Sequence, residues 1–77
     1  MKVRVYAPPL ADPAAIDSDG RVELPDGATL GELLALLRVP LRPLAALLCM
    51  VNWRRASLRT ELRDGDTVGF VGLLPGG

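Results

Sequence analysis

The residues with the most unusual chemistry lie at the end of the sequence. Leu73, Leu74 and Pro75 form an apolar stretch that is followed by Gly76 and Gly77. Glycine has no Cβ, so this backbone can enter a narrow channel and lie close to a partner's walls. The functional group expected at the tip is the carboxylate of Gly77. A carboxylate becomes a good electrophile only when it carries a leaving group, and ATP can supply one by forming an acyl-adenylate.

The sequence lacks the side chains that would let the chain perform such chemistry itself. It contains no histidine and one cysteine, which excludes a His-activated nucleophile and leaves no ligand set for structural zinc. It has no phosphate-cradling glycine loop and no pair of carboxylates within an apolar segment. We therefore expect that the chain is not an enzyme and has no cofactor or metal, and that a separate enzyme activates Gly77.

Two other candidate groups have structural explanations. Cys49 lies between Leu48 and Met50, so we expect a buried thiol with a raised pKa and little reactivity. The acidic residues of the second half lie together, and we interpret them as turn-forming and solvated: Glu61, Asp64 and Asp66.

The charge distribution gives no reason to expect binding to nucleic acid or to a membrane. Basic and acidic residues number nine each. Residues 1–40 carry four basic and six acidic side chains, and residues 41–77 carry five and three, which we interpret as solvated faces. Trp53 lies close in sequence to three arginines, Arg54, Arg55 and Arg59. With only one aromatic residue, this segment is weak evidence for a nucleic-acid-binding surface. An anchor for a protein partner at Trp53 is the stronger interpretation.

The first half of the chain predicts two strands and a helix. Residues 1–6 and 21–24 alternate between apolar and polar side chains, which predicts an antiparallel pair of half-buried strands. Residues 8–20 have loop composition with room for a short helical turn. Thr29 and Glu32 have capping-box spacing, and the leucines that follow form one apolar stripe. We therefore predict a helix over about 29–38, with Arg38 in its last turn.

The second half predicts strands separated by turns. Residues 41–46 are ambiguous and contain a possible short helical turn, and the apolar run 47–51 favours a buried central strand over a helix. A short strand is expected near 55–58 and the last strand at 67–71, after a tight turn at 62–66. The order of elements predicts an α+β fold, with a mixed sheet of four to five strands and one main helix packed across one face.

Several segments together resemble a known family. A Gly65-Asp66 turn followed by a strand and a terminal Gly-Gly resembles the sulfur carriers represented by the small subunit of molybdopterin synthase and the sulfur carrier of the thiamine pathway. These are ubiquitin-like β-grasp proteins. The resemblance covers nearly the whole chain except the loops at 8–20 and 39–46, and it rests on the segments 1–5, 22–30, 50–52 and 62–68, the last with the pattern L-x-D-G-D-x-V.

The resemblance implies a function for the tail. Gly77 would be adenylated by an E1-like enzyme and converted to a thiocarboxylate, with sulfur supplied by a sulfurtransferase. The sulfur would pass to a precursor held by the large synthase subunit or another sulfur-accepting enzyme. Gly76 would allow threading, and Leu73, Leu74 and Pro75 would help to dock the tail. Phe70 would contribute to the partner interface, although a strand phenylalanine is more often part of the core.

One departure from the family pattern leaves open the branch of the family to which this chain would belong. Leu74-Pro75 directly precedes Gly-Gly, and proline restricts both residues. The longer N-terminal half favours the molybdopterin branch over the thiamine branch. The pathways of tRNA thiolation and amino-acid sulfur chemistry can use the same terminal group and stay open. Two other classes remain: a ubiquitin-like modifier conjugated through Gly77 to lysines, and an interaction domain in which Gly-Gly has no role. As a modifier, the chain would form side-chain-linked polymers only through Lys2, its single lysine.

The composition also predicts organisation and location. At 77 residues the chain is expected to form a single domain, residues 1–77, with an exposed tail from about residue 72. A lone cysteine, no signal peptide and no apolar stretch long enough to span a membrane together favour the cytoplasm.

Overall fold

A computed structural model of the protein describes residues 1–6, 11–40 and 42–70. Its strands form one mixed five-stranded sheet with the order β2-β1-β5-β3-β4. β1 and β5 lie parallel at the centre, and the other neighbouring pairs are antiparallel. The strands are β1 (Lys2–Tyr6), β2 (Arg21–Glu23), β3 (Cys49–Val51), β4 (Arg54–Arg55) and β5 (Thr67–Phe70).

Within these ranges, two short α-helices accompany the sheet, α1 (Leu30–Leu36) and α2 (Arg42–Leu48), and a 3-10 turn spans Pro13–Ala15. The predicted α+β class and mixed sheet are confirmed. The antiparallel pairing of the first two strands and a short helical turn in the loop before β2 are also found. Among the described residues, no helix is long and apolar enough to cross a membrane.

The core lies between α1 and one face of the sheet. In β1, Val3 and Val5 are buried while Lys2, between the N-terminus and Val3, is exposed, as the period-two pattern predicts. The leucine stripe of α1 meets these valines in one apolar cluster. The fully buried side chains of this cluster are Leu30, Leu33, Leu34, Leu37, Leu62, Val3, Val22, Val68 and Cys49.

The start of α1 follows its sequence signal. The Thr29 side chain accepts the Glu32 amide, and a Glu32 carboxylate oxygen lies within hydrogen-bond distance of the Thr29 amide, which completes the capping box. The helix begins at Leu30, with Thr29 as its N-cap, as predicted.

The end of α1 differs from the prediction. Leu36 is its last residue, and Arg38 lies beyond the helix with φ of 54°. The Arg38 amide donates to the Ala35 carbonyl, and the Val39 amide donates to the Leu34 carbonyl. These bonds form a Schellman motif with arginine at the position that glycine usually takes. The absence of glycine there explains why the pattern predicted a longer helix.

The apolar run 47–51 is divided between two elements. Leu47 and Leu48 belong to α2, and the strand begins only at Cys49, so the prediction of a strand over 47–51 is wrong for its first two residues. Both leucines are exposed, so hydrophobicity alone could not identify the buried part of the run. β4 lies at 54–55, earlier and shorter than predicted, and β5 begins at Thr67 as predicted.

Candidate functional site

The strand that leads into the tail is held at the centre of the sheet. β5 pairs with β1 on one side, where Val5 faces Val68, and with β3 on the other, where Cys49 faces Phe70. Because β1 and β5 are parallel, both end at the same edge of the sheet, where β3 begins. β5 therefore ends at Phe70 in the middle of this edge, which we call the exit edge.

Every predicted tail residue lies outside the described residues: Leu73, Leu74, Pro75, Gly76 and Gly77. Phe70 is described, and it is 7% exposed within the core cluster. It offers little surface to a partner, so its burial favours core packing over the predicted contact. The structure thus describes the base from which the tail starts.

At the opposite edge, the turn before β5 is bonded to the start of β1. The Lys2 amide donates to the Asp64 carboxylate at 2.8 Å, and the Gly65 amide donates to the Lys2 carbonyl at 2.8 Å. Gly65 has φ of 85°, a conformation that glycine adopts without steric cost. Leu62, just before the turn, is buried, and its amide donates to the Ala28 carbonyl.

Asp66 extends this connection to three segments. One carboxylate oxygen accepts the Arg63 amide at 2.8 Å, and the other accepts the Asn52 side-chain amide at 2.9 Å. The Asp66 carbonyl accepts the Arg4 amide at 2.8 Å. The acidic residues were predicted to form a turn, and Asp64 and Asp66 do. That they also join β1 and the β3–β4 turn to the base of β5 was not predicted.

The β3–β4 turn has an unusual backbone. Asn52 and Trp53 have φ of 52° and 62°, as the two central residues of a type I′ turn require, although glycine is preferred at the second. The Asn52 side chain also accepts the Thr67 amide at 2.9 Å, which fixes the turn against β5. Trp53 is 46% exposed at the edge opposite the exit edge. A contact between Trp53 and a partner stays a prediction.

Cys49 has the environment expected of an inert thiol. It is buried at the start of β3, and burial raises the pKa of the thiol to about 11. Within the described residues, no group of three or more His, Cys, Asp or Glu side chains has the arrangement of a metal site.

The surface near the exit edge contains a feature that the sequence analysis missed. Leu44, Leu47 and Leu48, on α2, are each 56–62% exposed. Beside them lies an apolar groove of about 310 Å³, lined by Ala46, Leu47, Ala56, Ser57, Leu58 and Arg59. The signal in the sequence was the i, i+3, i+4 spacing of the three leucines, which was masked by the continuous apolar run into β3.

Comparison with protein-family models, with curated proteins and with solved structures found no match to this chain.

Proposed function

We propose that this chain is a ubiquitin-like sulfur carrier with a β-grasp fold, whose Gly77 is converted to a thiocarboxylate. The observation that carries the proposal is the placement of β5. It is the central strand of the sheet, and it ends at Phe70, seven residues before Gly77. A short Gly-Gly tail that starts from a rigid strand can be presented to an enzyme at a defined distance from a folded body.

The architecture supports the β-grasp assignment. The sheet is mixed, its first and last strands are parallel neighbours at the centre, and α1 packs on one face, although α2 is as long as α1 and was not predicted as a second helix. These features agree with the fold that the family resemblance implies, and the helix follows the first two strands along the chain as the resemblance requires.

The residues of the family motif have identifiable structural roles in the turn formed by Asp64, Gly65 and Asp66, which we call the D-G-D turn. Leu62 fills the core, Asp64 and Gly65 bond to Lys2, and Asp66 bonds to the β3–β4 turn. Each residue type of the motif therefore has a structural role here. The motif therefore bears on the fold of the chain. The proposal about function rests on the Gly-Gly that follows it.

The proposed chemistry takes place entirely at the last carboxylate. A carboxylate oxygen of Gly77 attacks the α-phosphate of ATP on an E1-like enzyme, and pyrophosphate leaves. A sulfur nucleophile, hydrosulfide in the simplest case, then attacks the acyl carbon, and AMP leaves. Loss of the proton from sulfur gives the thiocarboxylate. The chain supplies the backbone and its presentation, and the enzyme supplies every catalytic group.

We propose that the sulfur is used in molybdopterin synthesis, where a large synthase subunit would hold the precursor that accepts it. The thiamine pathway and tRNA thiolation use the same terminal chemistry, so identification of the enzymes that co-purify with the chain would distinguish them.

Intact-mass spectrometry tests the proposal directly. The purified chain is incubated with an E1-like enzyme that thiolates a known carrier, together with ATP and sulfide. We expect the mass of the chain to rise by the difference between sulfur and oxygen. An unchanged mass, under conditions in which the known carrier reacts, would overturn the proposal.

A matched variant separates tail chemistry from general binding. Appending one alanine after Gly77 leaves residues 1–77 intact but displaces the carboxylate from the glycine. We expect this variant to keep its circular-dichroism spectrum and thermal midpoint and to show no mass change. Isopeptide adducts of the unextended chain on lysines of other proteins, without a thiolated product, would instead identify a modifier.

A further inference from the structure

We propose that the exposed face of α2 and its groove form a docking surface for the E1-like enzyme that activates the tail. This inference rests on the proposed function. The surface consists of Leu44, Leu47 and Leu48 together with the groove beside them, and we call it the α2 surface.

The exposure of the α2 surface is difficult to explain by folding alone. Single exposed leucines are ordinary, but three on one seven-residue helix form a contiguous apolar area. The groove has a floor of small side chains, because Ala46 and Ala56 lie where larger residues would fill it. A shallow apolar groove next to projecting leucines is suited to interdigitation with side chains of a partner.

The position of the α2 surface connects it to the tail. Leu48 is the residue before Cys49, and Cys49 faces Phe70, the last described residue of β5. The end of α2 therefore lies at the exit edge, where β5 ends. An enzyme that holds the α2 surface would receive the tail beside its own contact, so binding there would help to position Gly77.

The charges at the α2 surface indicate the chemistry of the partner. Arg59 lines the groove and is exposed. Within the described residues it forms no ion pair. We therefore expect the enzyme's matching surface to be apolar at its centre and acidic at its rim, where a carboxylate would pair Arg59 and raise the association rate.

A second copy of the chain is a poorer occupant. Three leucines at this exposure present on the order of 300 Å², compared with about 800 Å² per partner in a stable interface. The chain is therefore expected to remain monomeric at micromolar concentration.

Kinetics of adenylation test the inference. ATP–pyrophosphate exchange by the E1-like enzyme is measured as a function of carrier concentration for the wild type, Leu47→Gln and Leu44→Gln. We expect each variant to raise KM at least about tenfold with little change in kcat, because the tail and its chemistry are unaltered. Leu36→Gln is the control, since Leu36 is 45% exposed on α1, and its KM should stay within about twofold of wild type.

A charge reversal tests the predicted acidic rim. Arg59→Glu should raise KM and weaken its dependence on salt, whereas Arg63→Glu, at the opposite edge of the sheet, should change neither. Circular dichroism of each variant checks that the exposed substitutions leave the fold intact.

The outcomes separate this inference from the function on which it rests. If the wild type is adenylated and the α2 variants keep its KM, the docking surface is wrong and the carrier function stands. If an E1-like enzyme adenylates its known carrier but does not adenylate the wild-type chain, the docking surface and the carrier function are both wrong. A wild-type dimer in sedimentation that Leu47→Gln dissociates would assign the surface to a second copy and overturn the inference.

Discussion

Cys49 is the first residue of β3 and directly follows the end of α2. Its thiol is buried in the apolar core cluster. The thiolate is the reactive form of cysteine, and burial removes the water that would stabilise its charge. The neighbours that suggested an inert residue in the sequence, Leu48 and Met50, are themselves not buried. Leu48 is exposed, while Met50 is half-buried, so the protection of Cys49 comes from the core itself.

Thiol labelling at pH 8 tests this protection. With the pKa raised to about 11, we expect the native thiol to react with iodoacetamide on the order of 100-fold more slowly than in denaturant, where its pKa is ordinary. Because the chain has one cysteine, mass spectrometry follows a single site. Rates in the two states that agree within a few-fold would show that Cys49 is accessible.

Gly31, in the first turn of α1, shows how packing between elements can reverse a helix propensity. Its amide donates to the Leu58 carbonyl at 2.9 Å, and an added Cβ would lie 3.0 Å from that oxygen. The segment around Leu58 has little freedom to retreat, because the Leu30 amide donates to the Thr60 carbonyl and the Ser57 amide donates to the Thr60 hydroxyl. Glycine at this position therefore permits a close approach between α1 and the 57–60 segment.

Gly31→Ala is expected to destabilise the protein by about 1–2 kcal/mol, because the crowding at Leu58 exceeds the gain in helix propensity. Ala35→Gly, on the exposed side of α1, should also destabilise, by about 0.5–1 kcal/mol through propensity alone. Urea denaturation measures both changes. If propensity governed both sites, the two substitutions would have opposite signs, and that result would contradict the packing argument.

The elements that could be predicted from the sequence are those whose signals are local. Alternation identified β1, and the capping residues located the start of α1. The end of α1 was not predicted correctly because Arg38 adopts the positive φ that ends the helix. A glycine usually takes this position and would have indicated the end in the sequence. Leu47 and Leu48 were misassigned because a continuous apolar run has no period, and the tertiary pairing of Cys49 with Phe70 decides where the strand begins.

The candidate site was predictable to a similar extent. The D-G-D turn and the strand after it were visible in the residues, because glycine and aspartate have strong turn preferences. The hydrogen bonds from Asp66 to Arg63 and Asn52 depend on the three-dimensional arrangement, as does the exposure of α2. No short-range pattern encodes contacts between residues 14 positions apart, such as Asn52 and Asp66.

At the scale of the whole molecule, the two edges of the sheet have different roles in the proposed carrier. The exit edge contains the buried end of β5 and the α2 surface, whose three leucines are exposed. The opposite edge contains the D-G-D turn and the β3–β4 turn, which hydrogen bonds hold together. A chain of this size buries a small core, and here hydrogen bonds between separate segments add to it at the opposite edge.

A double-mutant cycle measures how strongly that opposite edge is joined. Asn52→Ala and Asp66→Ala each remove hydrogen bonds and should each cost about 1–2 kcal/mol of stability. Both remove the bond from Asn52 to Asp66, so the double variant should lose less than the sum, by about 0.5–1.5 kcal/mol. Asn52→Ala combined with Arg38→Ala is the control and should be additive, since the two residues share no partner among the described contacts. Strict additivity of the Asn52 and Asp66 changes would show that the bond between their side chains does not couple the two turns.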